Sequence, residues 1–161
     1  MAKIKRSFRE KLRDSKDLPR VEKITGKLIT RWGKGTFVIP APIEVDAVMR
    51  KVPRGKLTTV NEIRTALAKK HRATIACPIT TGIFAMIAAR AADEEELAGK
   101  KRVTPYWRTL KVGGELNPKY PGGLAVLRSR LQAEGHEVVV RGKRWFVADH
   151  EQRLARLDGV S

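Results

Sequence analysis

The chain has 161 residues, 42% of them hydrophobic, which is enough for one ordinary domain with a real core plus an extension. Its 34 Lys and Arg against 17 Asp and Glu leave a formal charge of +17, so its surface is drawn to polyanions, nucleic acid first and an anionic membrane surface as the weaker rival. No run approaches the roughly 18 apolar residues that span a bilayer, the start lacks the apolar core of a signal peptide, and one Cys with three scattered His offers neither a disulfide nor a zinc framework. The expectation is a cytoplasmic or nucleoid-associated protein that works without cofactor, metal or membrane.

Residues 1–23 are rich in Lys and Arg, from Lys3 and Arg6 to Arg20 and Lys23, and poor in apolar side chains. They read as a mobile or weakly helical arm, either a solubilising tail or one that contacts phosphates. From Ile24 to Ile39, the residues Leu28, Trp32, Phe37 and Ile39 stand in strand-like runs broken by Gly33-Lys34-Gly35, which predicts a β-hairpin terminated by Pro40 and Pro42. The stretch Ile43 to Lys51 predicts a short helix with Val45, Val48 and Met49 inward.

Thr59, with Glu62 three residues on, makes a capping box; Val60, Ile63 and Leu67 follow at helical spacing, so a helix runs from about Val60 to Lys70. After a turn from His71 to Pro78, Thr80 or Thr81 caps a second helix whose Ile83, Phe84 and Ile87 are expected in the core. Its other face carries Gly82, Ala85, Ala88, Ala89 and Arg90, small side chains that suit either a nucleic-acid groove or close packing against a neighbouring helix. The acidic run Asp93 to Glu96 is expected to face away from DNA, as a solvated helix end or as counter-charge to nearby Lys and Arg. Leu124, Leu127 and Leu131 mark a third helix stopped by Gly135. Val138 and Val140 then match Trp145 and Val147 across Arg141-Gly142-Lys143, a hairpin with a basic tip. Arg141, Lys143 and Arg144 there are placed for phosphate contacts, the alternative being an ordinary sheet hairpin with solvated charges.

Three segments, in order, resemble one family. Val52-Pro53-Arg54-Gly55-Lys56-Leu57-Thr58-Thr59-Val60-Asn61-Glu62-Ile63 is similar to the "Pro-x-Gly-x-Val-x-Thr-Tyr-x-x-Ile" opening of the DNA-binding domain of O6-alkylguanine-DNA alkyltransferases. Tyr120-Pro121-Gly122-Gly123-Leu124 resembles that family's "Tyr-x-Gly-Gly-Leu", and Leu131-Gln132-Ala133-Glu134-Gly135 its "Leu-Leu-x-x-Glu-Gly". The match runs from about Ile43 to His136. Between these segments, within Thr104-Pro105-Tyr106-Trp107-Arg108, alignment on Pro105 and Arg108 puts Tyr106 on the family's acceptor cysteine and Trp107 on its histidine. Alkyl transfer needs a thiolate, and a phenol of pKa about 10 is a poor substitute. The chain is therefore similar to the alkyltransferase-like branch, in which an aromatic or small residue replaces the cysteine, although Tyr-Trp differs from that branch's usual Trp-His pair.

The residue patterns and the resemblance together lead to the expectation of a mixed α/β (α+β) fold, a winged helix-turn-helix with an N-terminal β-hairpin extension. Its segments are a basic arm and hairpin at 1–42, a DNA-binding domain at 43–136, and a hairpin wing with a short helix at 137–161. It implies that the second helix enters the minor groove of double-stranded DNA with Thr80, Thr81, Gly82, Ala85, Ala89 and Arg90. A damaged base would swing into a pocket formed by Tyr106, Trp107 and Arg108, at a cost least for a base already poorly paired. Glu134 matches the glutamate of the family's Cys-His relay and has nothing left to relay. The family's tyrosine after Thr-Thr is Val60 here, and its arginine finger has no secure counterpart: Thr81 lies near its place, with Arg72 and Arg90 on either side. The implied function is non-enzymatic recognition of alkylated or distorted DNA, O6-alkylguanine included, for handover to nucleotide-excision-type repair factors. Two alternatives stand beside it. One is a general DNA- or RNA-binding or regulatory protein without lesion specificity. The other is an alkyltransferase acting through Cys77, whose thiol would need a nearby base or helix N-terminus to ionise.

Overall fold

In the computed structural model, which describes residues 6–157, Ser7 opens the first helix: its hydroxyl accepts from the Glu10 N–H, and α1 (Phe8–Arg13) follows. Strand β1 (Arg20–Lys23) leads into α2 (Leu28–Trp32), and β2 (Thr36–Ile39) returns antiparallel to β1, with Arg20 opposite Ile39 and Lys23 opposite Thr36. The expected hairpin is thus built from other residues than the sequence suggests. Leu28 and Trp32 are four residues apart and share one face of a helical turn, which packs against Ile24 and Phe37, and Gly33 at φ 80° ends that turn. The arm expected to be mobile or weakly helical contains the docked helix α1 and the paired strand β1. Lys3 lies outside the described residues, as do residues 158–161 of the last segment.

Helix α3 (Pro42–Arg50) starts with proline, whose fixed φ suits the first turn, and buries Val45, Val48 and Met49 as expected. The short strand β3 (Thr58–Thr59) runs directly into α4 (Val60–Lys70), where Thr59 Oγ1 accepts from the Glu62 N–H at 3.2 Å and Ile63 and Leu67 are buried. Strand β4 (Ile75–Ala76) joins β2 in parallel and delivers the chain into α5 (Pro78–Leu97). Its N-cap is Cys77 rather than Thr80 or Thr81, because Pro78 lacks the N–H that a helix start leaves unsatisfied anyway.

Strand β5 (Thr109–Leu110) pairs in parallel with β3, and α6 (Gly123–Ala133) ends before Gly135. The last hairpin, β6 (Val138–Arg141) and β7 (Arg144–Val147), pairs Val138 with Val147 and Val140 with Trp145 across a two-residue tip at Gly142, φ 64°. It is followed by a 3-10 turn at His150–Arg153.

Helix α5 is the central pillar, with α1, α3 and α4 packed against it. Leu12 and Val38 from the first sequence segment and Val147 from the last join Val45, Ile63, Leu127 and Leu131 in one continuous core. The architecture is mixed α and β, with helices around small sheets.

The face that α5 turns inward differs in part from the expected one: Phe84 and Ile87 pack against the core as expected, but the small residues, not Ile83, lie deepest. Thr81, Ala85, Ala88, Ala89, Ala92 and Glu95 are buried, whereas Ile79 and Ile83 are exposed. Apolar residues lie all around this helix, so periodicity does not select a face. Packing against three helices does, since alanines let their backbones approach.

Candidate nucleic-acid interface

The segment 104–108 is held from three sides. Thr104 donates to Asp46 Oδ1 at 2.5 Å, and the other oxygen of Asp46 accepts from Arg50 Nε at 2.8 Å. Tyr106, Trp107 and Arg108 then form a single 3-10 turn, and the chain leaves it as β5 beside β3. Arg108 Nε and Nη2 grip the two oxygens of Glu134 at 2.8 and 2.9 Å, its Nη1 donates to the Val52 carbonyl at 2.8 Å, and Trp107 Nε1 donates to Glu134 Oε2 at 2.8 Å. Burial of Glu134 pushes its pKa up, but the hydrogen bonds from Arg108, Trp107 and the Gly55 N–H outweigh it and hold the carboxylate below its ordinary range. Glu134, at the end of α6, therefore has a structural partner set rather than a relay.

Tyr106 does not line a pocket as expected. It is 1% exposed, edge-on to Trp107 and Tyr120 with ring centroids 5.4 and 6.2 Å away, a core anchor under the site. Burial pushes its phenol pKa above the ordinary value, partly offset by the Arg130 charge, so it stays protonated. Trp107 and Arg108 do border open space. They share a cavity of about 430 Å³ with Arg50, Lys101, Arg102, Arg130, Glu96, Val103 and Pro105.

Five cations converge on that cavity, and they differ in what they already hold. Arg50 is bound to Asp46, Arg108 to Glu134, and Arg130 to Glu96 at 2.7 Å. The Arg130 guanidinium also lies 4.3 Å from the centroid of the Trp107 ring, stacked on its face. Lys101 and Arg102 are exposed and have no ion-pair partner among the described residues. The sequence reading missed Arg50, Lys101, Arg102 and Arg130, which converge from three separate stretches; only the adjacency of Lys101-Arg102 to Thr104 was a local hint. A second cavity, about 480 Å³, lies between α4 and β4 and has no aromatic wall.

The DNA-facing residues expected on α5 are not brought together. Thr81, Ala85 and Ala89 are buried, and Thr81 Oγ1 is spent on the Cys77 carbonyl at 2.7 Å, so Thr81 cannot stand in for an arginine finger. Thr80 and Gly82 are half-buried. Arg90 donates to the Lys119 carbonyl at 3.0 Å and covers the Phe8 ring, while Arg72 is exposed. Of the acidic run, Glu94 accepts the N–H groups of Phe8 and Arg9 at 3.0 Å each, Glu95 meets Lys100, and Glu96 meets Arg130, so counter-charge and capping rather than solvation explain it.

On the C-terminal hairpin, Lys143 is exposed at the tip, Arg141 lies over the Phe146 ring, and Arg144 donates to Glu115 at 2.8 Å. Cys77 caps the N-terminus of α5 but is buried among Ile24, Phe37, Leu28 and Trp32, an apolar setting in which no described residue accepts a hydrogen bond from its thiol. No helix among the described residues is long and apolar enough to cross a membrane.

No family model matches the sequence, and no curated protein is similar to it. Among solved structures, the fold is similar to that of S. pombe Atl1, seen in a crystal structure in complex with damaged DNA containing O6-carboxymethylguanine. The likeness has a TM-score of 0.50 at 16% sequence identity and covers 71% of this chain and 94% of that one. At that identity it is a likeness of fold: this chain is an α+β protein with the architecture of Atl1 over most of its length.

Proposed function

We propose that this protein is an alkyltransferase-like DNA-binding protein that recognises alkylated or distorted duplex DNA and transfers no alkyl group. The observation that carries the reading is the cavity at Trp107 and Arg108: an indole wall, five converging cations and no thiol. An aromatic face can hold an unstacked base for about 1–3 kcal/mol, and the free Lys101 and Arg102 suit the phosphates beside it. The fold shared with Atl1 supports the same partner, since that protein is bound to DNA containing an alkylated guanine. Trp107 and Glu134, at the positions that the sequence resemblance assigns to the family's histidine and glutamate, are hydrogen-bonded to each other. In this reading α4 and α5 are the helix-turn-helix and the β6–β7 hairpin, which packs on α6, is its wing. The role of the chain would be to mark damage for nucleotide-excision-type repair factors.

A second reading, a phosphate-directed binder of DNA or RNA, is favoured by one observation: Arg130 already covers the Trp107 ring face where a base would stack. Fluorescence-anisotropy titration of matched duplexes, one with a single O6-methylguanine and one with guanine, separates the two. Tighter binding to the lesion duplex at both a low and a high salt concentration is expected; equal affinities that fall together with salt would replace lesion recognition by the second reading. Transfer through Cys77 would appear as a gain of one alkyl group in its mass after incubation with the lesion duplex, and no gain is expected.

A further inference from the structure

The β6–β7 hairpin has two faces, and only one belongs to the core. Side chains alternate along each strand, so the rungs Val138–Val147 and Val140–Trp145 share a face; Val147 is buried there, and Val138 and Trp145 pack on the core beside it. The rungs Val139–Phe146 and Arg141–Arg144 share the other face. Val139 and Phe146 join no core cluster, and both are half-buried rather than buried. The far edge of β7 meets Glu115 and Leu116, with the Leu116 N–H donating to the Trp145 carbonyl at 2.8 Å. Phe146 is thus an aromatic ring on the middle strand of a small sheet, on the face turned from the core.

Its neighbours are cations. The Arg144 guanidinium lies 5.1 Å and the Arg141 guanidinium 5.5 Å from the centroid of the Phe146 ring. Arg141 and Arg144 stand directly opposite in the ladder, a like-charge pair that weakens a hairpin, and Lys143 adds a further charge at the tip. Glu115 holds Arg144 at 2.8 Å and is shared with Lys111 at 3.7 Å. Arg141 and Lys143 have no ion-pair partner among the described residues. Most of this charge is therefore left for an anion from outside the chain.

A ring on the free face of a sheet, bordered by guanidiniums, is the chemistry that holds an unpaired base: the ring stacks on the base and the cations meet the phosphates beside it. A paired base inside a duplex has both faces covered by its neighbours, and an acidic peptide would answer the charges while leaving the ring without a partner. We propose that Phe146, Arg141 and Arg144 form a second nucleic-acid site, which stacks an unpaired base of a single strand on the Phe146 ring and binds its phosphates. Arg130 over Trp107 is held by Glu96, but Arg141 has no carboxylate to leave and can close over the base from its other side. The site goes beyond the duplex reading above and shares no residue with the Trp107 cavity.

The test is fluorescence anisotropy of the full chain with labelled oligothymidylate, oligouridylate and an abasic strand of equal length and equal phosphate count. Wild type is expected to bind the better of the two base-bearing strands about tenfold more tightly than the abasic one, and which of them it is names the sugar that the surface takes. Phe146→Leu, which keeps the apolar volume, is expected to lose that tenfold, and Phe146→Tyr to keep it. Neither changes the salt slope, which Arg141→Gln lowers by about 0.7, and Phe146→Leu binds duplex as wild type does. Equal binding of base-bearing and abasic strands, or a Phe146→Leu variant that keeps the tenfold, overturns the stacking site and leaves a merely charged hairpin. The abasic comparison needs no variant, so it stands even if a substitution unfolds the hairpin. A wild type that binds duplex but no single strand overturns the site and spares the duplex reading; loss of lesion preference with single-strand binding intact does the reverse.

Discussion

Glu134 and Glu115 each gather cationic partners, yet one holds a site together and the other only clasps a hairpin. The side chains of Glu134 and Arg108 are 4% and 13% exposed, with Nε and Nη2 of the guanidinium held by Glu134 and Nη1 by the Val52 carbonyl, so little of either charge is open to water. Glu115 is equally sheltered, but Arg144 is 64% and Lys111 48% exposed, and both retain solvent when the pair opens. The difference teaches that a carboxylate's own burial does not set its structural importance. The burial of the cation it neutralises does.

The largest effect expected from this contrast is at Glu134. Glu134→Ala leaves the half-buried Arg108 without its carboxylate and should cost about 2 kcal/mol in urea unfolding, whereas Glu115→Ala should cost clearly less. Equal losses would break the comparison.

Acid should sharpen it. Glu134 is held below its ordinary pKa by Arg108 and Trp107 against the pull of burial, and Glu115 chiefly by its hydrogen bond from Arg144. The unfolded chain takes up these protons first, so their contribution is complete above about pH 4.3 and drains as pH falls through the folded values. His136, whose pKa burial lowers, adds a loss that starts below about pH 6.5 for the same reason. The acid limb of the stability curve should flatten more in Glu134→Gln than in Glu115→Gln, as read by thermal melts between pH 7 and pH 3.

The smallest effect concerns the hairpin. Lys143 is free to meet a phosphate, while Arg144 is already engaged by Glu115. Lys143→Gln should lower the slope of log affinity against log salt by about 1, and Arg144→Gln by less. The reverse ranking would mean that the clasp opens on DNA and that Glu115 competes with phosphate.

The elements most legible beforehand were those whose signals are local. Thr59 with Glu62 starts α4, the Leu127 and Leu131 spacing with Gly135 bounds α6, and the Val138 to Val147 alternation across Gly142 makes the last hairpin. The misread elements had ambiguous local signals. Leu28 to Trp32 is a short apolar run that fits a strand or one helical turn, and only the contact with Ile24 and Phe37 selects the turn. Helix α5 is apolar on every side, so its inward face was open until α1, α3 and α4 closed on the alanines.

By itself, the sequence determined the local elements, the basic balance of +17 and the absence of a thiol at position 106, because each depends on residue identity or on neighbours a few positions away. Tertiary structure alone decided that Tyr106 lies under the site rather than in it, that Trp107 and Arg108 share Glu134, and that Ile79 and Ile83 face solvent. Those outcomes are contests for burial and for counter-charges among segments distant in the chain. Their winners depend on which helices pack together.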